Sequence, residues 1–217
     1  MRLGLARLVL AAVVVLAAIC SACGALPIVD MPTANMQPPM SVALDYYSLE
    51  LRPSNPRAPS RMTIAAGYIG LAQRLELDVV QVRLKAMPPD TTAVLQYLVA
   101  PERGPMPAAA VGVEDVGLEL GDRSCYVVAS KIVTPVTERG PAFPMVQLTL
   151  GYGTAPRSSA FGGVLISPHP LVGLVAQTNG LRSTYCISLT VPKTTLTFRF
   201  GTLGHARWWG MEYVVPL

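Results

Sequence analysis

Residues 184–200 read TYCISLTVPKTTLTFRF, and their rhythm decides the fold. Tyr185, Ile187, Leu189 and Val191 alternate with Thr184, Cys186, Ser188 and Thr190. After Pro192-Lys193, Leu196, Phe198 and Phe200 alternate with Thr195, Thr197 and Arg199. Strict alternation over such a stretch is the signature of a strand with one face in and one face out, and two runs joined by a short polar turn predict a hairpin. With apolar side chains expected inside, Cys186 falls on the outer face, opposite Tyr185 and Ile187.

The same period recurs outward from this hairpin. Val146, Leu148, Leu150 and Tyr152 alternate with Gln147, Thr149 and Gly151. Further strands are expected over 42–51, 62–69, 74–86, 94–99, 124–135, 162–166, 171–176 and 210–215, with turn residues between them, as at Pro88-Pro89-Asp90, Gly104-Pro105, Gly140-Pro141 and Asn179-Gly180. In 74–86 the apolar set shifts from Leu75, Leu77 and Val79 to Val80, Val82 and Leu84. A β-bulge at Val79-Val80 would restore one apolar face, and a similar shift stands at Tyr46-Tyr47. About ten short strands without a convincing helix predict an all-β fold, an antiparallel sandwich loosely of the immunoglobulin kind or a barrel. Residues 42–217 are expected to form it as one domain.

Composition narrows the function classes. Of 217 residues, 51% are hydrophobic and 14% charged, and mean hydropathy is +0.43. The isoelectric point near 9.0 comes from a net charge of only +4 with both signs interspersed, so no basic patch for nucleic acid is expected. The two histidines, His169 and His205, lack a second ligand at metal spacing, so neither a metal nor a cofactor is expected. No G-x-S-x-G elbow, S-x-x-K motif or phosphate loop occurs, and Ser158-Ser159 reads as a loop of small residues; the expectation is a protein that is not an enzyme. The acidic cluster Glu114, Asp115, Glu119 and Asp122 lacks the calcium-loop pattern and reads as a solvated loop. Arg207, Trp208 and Trp209 are the one candidate binding surface. Strand alternation would turn one indole inward and the other outward.

The chain opens with Arg2 and Arg7, then an apolar run from Leu8 to Ile19, then Cys20-Ser21-Ala22-Cys23. A positive start, an apolar core of about 12 residues and small residues before a cysteine form an export signal over residues 1–22. This leader resembles that of bacterial lipoproteins, in which small residues precede a lipidated cysteine. Ser21 and Ala22 suit that pattern for Cys23, while Cys20 stands where leucine is usual. The resemblance covers the leader alone and implies an acyl anchor on Cys23 in membrane lipid. Gly24 follows Cys23, so the aspartate that marks inner-membrane retention in some lipoproteins is missing, which favours an outer membrane where the cell has one. Ordinary cleavage near Ala22 to Ala25 and an uncleaved anchor are the alternatives. The latter is short of the ~20 apolar residues of a spanning helix.

Residues 23–41, rich in proline, predict a tether reaching about 50 Å if wholly polyproline II, and about half that if flexible. Export leaves Cys125 and Cys186, and two cysteines in an oxidising compartment predict one disulfide, with two buried thiols as the alternative. Closing a loop of about 60 residues is worth about 4 kcal/mol in the chain-entropy model. The expected protein is lipid-anchored in the cell envelope and non-catalytic. It would serve a structural or assembly role with an envelope protein partner, or else bind a small ligand, glycan or envelope polymer.

Overall fold

The computed structural model describes residues 32–51, 60–85, 87–115, 124–137, 140–154, 160–179 and 182–216. Its strands are β1 (Ser41–Glu50), β2 (Arg61–Ala72), β3 (Leu75–Leu84), β4 (Asp90–Ala100), β5 (Ala108–Glu114), β6 (Ser124–Ile132), β7 (Val136–Thr137), β8 (Gly140–Pro141), β9 (Met145–Gly153), β10 (Ala160–His169), β11 (Val172–Thr178), β12 (Ser183–Thr190), β13 (Leu196–Leu203) and β14 (Ala206–Pro216). Twelve of them form one closed antiparallel barrel, and β7 with β8 is a small hairpin in the connection from β6 to β9. The all-β expectation holds in its barrel form. Each strand pairs with its neighbour in the chain, and β14 returns to β1, from Ser41↔Pro216 to Glu50↔Arg207. Closure leaves no sheet edge unpaired, which an open sheet of this length could not achieve.

The hairpin read from 184–200 is present as β12 and β13, in register from Thr190↔Thr197 to Thr184↔Leu203. β5 escaped the sequence reading because Ala108-Ala109-Ala110 and Gly112 have low strand preference. Its place is dictated by the partners on both sides, β4 and β6.

Strand periodicity was legible, but its sign was not. Leu148, Leu150 and Tyr152, and likewise Tyr185, Ile187 and Leu189, are exposed on the outer wall, whereas Gln147, Thr149 and Thr184 are buried inside. Cys186 shares the inner face with Thr184 and Ser188, the reverse of the orientation expected. No bulge separates Val79 from Val80 or Tyr46 from Tyr47, since both strands keep one register through those points. The phase shift has another cause. On β3 the outward residues change from Leu75, Leu77 and Val79 to Gln81 and Arg83, while the inward ones change from Glu76 and Asp78 to Val80 and Val82. Its register is continuous there, and the surroundings on each side of the strand exchange polarity.

Two clusters fill the interior. One packs Tyr47, Leu49, Met62, Ile64, Val80, Val82, Leu203 and Trp208 at the end opposite the pairing of Ser41 with Pro216. The other packs Ala34 against Val94, Ala108, Ala110, Tyr126, Val128 and Phe161. Aromatic rings lie over glycines on neighbouring strands. A Cβ on Gly210 would lie 2.2 Å from the Tyr47 ring, and one on Gly201 would lie 2.9 Å from the Trp208 indole. Glycine is required at these points so that a large ring can lie flat against the wall.

The Cys125–Cys186 disulfide is not formed, a correction to the expectation. Cys186 carries a thiol, and β9, β10 and β11 stand between its strand and that of Cys125. Three intervening strands at about 4.8 Å each place the pair well beyond disulfide reach on this wall. Cysteine count and compartment suggested a pair, but only topology decides proximity.

Candidate functional site

The interior is polar at mid-height, and its side chains come from strands all around the barrel. Asp45, Glu76, Asp78, Glu114 and Glu212 line a cavity of about 370 Å³, together with Gln96, Gln147, Thr149, Gln177 and Ser188. Among the described residues lining it, Arg199 is the only basic one. Each is delivered by alternation. Arg199 is the inward residue between Phe198 and Phe200, and Asp45 the inward residue between Leu44 and Tyr46.

Arg199 organises the acidic side of the lumen. Its guanidinium donates to the Glu212 carboxylate and to Tyr47 Oη, the latter at 2.7 Å, and stands 3.7 Å from Asp45 Oδ2. Tyr47 Oη in turn donates to Asp45 Oδ2 at 2.5 Å. One cation and one phenol thus tie β13 to β14 and β1 across the seam where the barrel closes. Charge-assisted bonds of this kind are stronger than neutral ones and compensate carboxylates withdrawn from water.

The described part of the expected 23–41 tether runs into the barrel. Ala34 is buried, and its N–H donates to Ser130 Oγ at 2.9 Å. Asn35 Nδ2 donates to Gln147 Oε1 at 2.9 Å, the Gln37 N–H donates to Glu76, and Thr33 O accepts from Gln96 Nε2 at 3.0 Å. Gln96 also accepts from Tyr126 Oη at 2.7 Å. These partners lie on β3, β4, β6 and β9, so residues 33–37 lie inside the barrel against that arc of its wall. Gly70 admits the segment, because a Cβ there would stand 2.1 Å from Pro38 O.

The sequence-predicted sites fall in different places. Trp208 is buried at 5% exposure, edge-on to Tyr47 with centroids 5.5 Å apart, whereas Trp209 is outward at 42% and Arg207 is exposed. The indoles are split as alternation requires, and they do not share a surface. Trp209 instead meets Tyr46 on the outer wall, ring centroids 5.7 Å apart. His169 and His205 sit exposed at turns, and Glu114 and Asp115 are buried rather than solvated. Among the described residues, no group of three His, Cys, Asp or Glu side chains could hold a metal. Cys23, Glu119, Asp122, Ser158 and Ser159 lie outside the described residues.

The sequence does not mark Asp45, Glu76, Asp78, Arg199 and Glu212 as lumenal. Their signal was present as single charges inside otherwise apolar alternating runs, but the polar face had been assigned to solvent. No protein-family model matches this chain, and no curated protein matches it.

Proposed function

We propose that the protein is an integral β-barrel of the bacterial cell envelope, spanning an outer membrane and serving a structural or assembly role there. One observation carries the proposal: the outer wall is apolar around the barrel, while buried charged and polar side chains gather in a cavity inside it. Leu44, Leu95, Tyr97, Leu148, Leu150, Tyr152, Leu174, Ile187, Phe198, Phe200 and Tyr213 are all exposed on the outer wall. They come from strands on every side, so the apolar surface is a girdle. Soluble monomers keep their largest apolar patch to roughly 300–600 Å². A lipid-facing wall removes that cost, and a closed barrel satisfies every backbone hydrogen bond inside hydrocarbon. Barrel strands of 7 to 12 residues suit the ~9–11 residues of a tilted spanning strand.

The interior supports a closed scaffold over an open pore, because residues 33–37 occupy one part of the lumen and the Tyr47–Trp208 cluster fills another. The 370 Å³ acidic cavity favours a second reading, a binding site for a small polar solute inside the barrel. Export by residues 1–22 fits both readings. An acyl chain on Cys23 would be an additional anchor, nine residues before the described chain begins.

Partition separates a barrel from a lipid tether. Wild type and Cys23→Ser should both remain in the membrane through alkaline extraction, and unboiled samples should migrate faster on gels than boiled ones. Release of Cys23→Ser into the aqueous phase would show that the acyl chain alone holds the protein, and the integral-barrel reading would fall.

A further inference from the structure

We infer that the outer wall carries a binding site for the phosphate headgroup of an anionic membrane lipid, formed by Arg61, Arg83 and Lys85 beside Trp209. The inference rests on the membrane-spanning reading and adds a specific lipid partner to it. Backbone pairing aligns the outward residues in rows around the barrel. At the end away from Ser41 and Pro216, Arg207, Glu50 and Arg61 stand side by side across β14, β1 and β2, and the N–H of Lys85 donates to Arg61 O at 3.1 Å. The next row is Trp209, Ser48, Thr63 and Arg83. The third is Met211, Tyr46, Ala65 and Gln81, and the fourth is Tyr213, Leu44, Gly67 and Val79. Charge gives way to an aromatic and polar row, and then to an apolar wall, within three steps.

That order matches the profile of one leaflet. Tyr46 and Trp209 meet at a tilt, at the level where amphipathic rings meet headgroups. Beside and beyond them Arg61, Thr63, Ala65, Gln81, Arg83 and Lys85 line a groove of about 490 Å³ together with Tyr46. Four cations, counting Arg207, face one carboxylate, Glu50. Among the described residues, the ion pairs join Lys131 to Glu102 and Arg199 to Asp45 and Glu212, so none engages these four. Arg61 Nε donates to Ser48 Oγ at 3.0 Å, which holds the guanidinium against the wall. Phosphate oxygens accept well from a guanidinium fork and an ammonium side by side. Acyl chains of the same lipid would lie over Ala65, Gly67, Ile69 and Val79 below.

The test uses Trp209 as the reporter. Trp208→Phe leaves it the sole tryptophan, since the chain has two. The protein, purified from envelopes, is reconstituted into phosphatidylcholine vesicles with a rising fraction of phosphatidylglycerol, bromine being carried on one lipid or the other. Brominated phosphatidylglycerol should quench Trp209 at a mole fraction about tenfold lower than brominated phosphatidylcholine, because each basic group near the surface adds to the preference. The preference should vanish in Arg61→Gln/Arg83→Gln/Lys85→Gln and weaken in Arg83→Gln alone. It should persist in Arg103→Gln/Arg182→Gln/Lys193→Gln, whose exposed cations lie elsewhere. Equal quenching by both lipids would overturn the site and leave the barrel in its membrane. No quenching by either would remove the membrane reading itself. Loss of preference in the control variant would reduce the effect to overall charge. Displacement by inorganic phosphate at matched ionic strength would make this a site for the free anion, and the lipid assignment would fall.

Discussion

Arg199 is flanked by Phe198 and Phe200, both facing outward, while its own guanidinium serves two carboxylates and a phenol within the barrel. Removing it would leave Asp45 and Glu212, both withdrawn from the surface, without their shared cation. Arg199→Met should lower stability by about 3 kcal/mol, read from the urea midpoint of protein refolded in micelles. Arg199→Lys should recover only part, because an ammonium cannot reach the Glu212 carboxylate and Tyr47 Oη with one planar fork. Trp208 and Trp209 offer a matched pair. Trp208→Ala should cost about 3–5 kcal/mol as a large-to-small change in a packed interior, and Trp209→Ala should cost far less. Comparable losses at both positions would contradict their placement on opposite faces of β14.

At the scale of elements, the segment entering the lumen is the least conventional feature. Residues 33–37 have four hydrogen bonds to inward side chains of four strands and lie under Gly70 of β2. A Cβ at Gly70 would meet backbone of Pro38, which cannot swing aside as a side-chain tip can. Gly70→Val should therefore dislodge the segment while the barrel persists. A cysteine at Ala34, buried at 3% exposure, should react slowly with a maleimide in the parent and at least about tenfold faster beside Gly70→Val, since access then no longer needs local opening. Nothing in residues 32–40 alone indicated a surface to lie against. The partners, Glu76, Gln96, Ser130 and Gln147, come from positions 39 to 112 residues away.

For the whole molecule, Leu150 discriminates best, being 71% exposed in the middle of the outer face of β9. On a water-facing wall, Leu150→Arg would be nearly neutral. In a bilayer it should cost about 2–4 kcal/mol, measured by reversible unfolding from lipid vesicles. Gln81→Arg, in the polar rows at the rim, should cost less than about 1 kcal/mol by the same depth dependence. A neutral Leu150→Arg would return the barrel to water and leave its apolar girdle without explanation.

The sequence by itself determined most of the barrel strands and the antiparallel hairpin of 184–200, because these depend on local periodicity and turn chemistry. It also placed Trp208 and Trp209 on opposite faces, a consequence of period two. What only the tertiary structure decided was which face is inside. Alternation is unchanged when inside and outside are exchanged, and the sign follows from closure, which gathers Asp45, Glu76, Asp78 and Arg199 around one cavity and turns Leu150 and Phe200 outward. The phase shift in β3 belongs to the same problem. A single strand crosses two environments, and a sequence read against one solvent can account for the change only by adding a bulge at Val79-Val80 that the backbone does not contain.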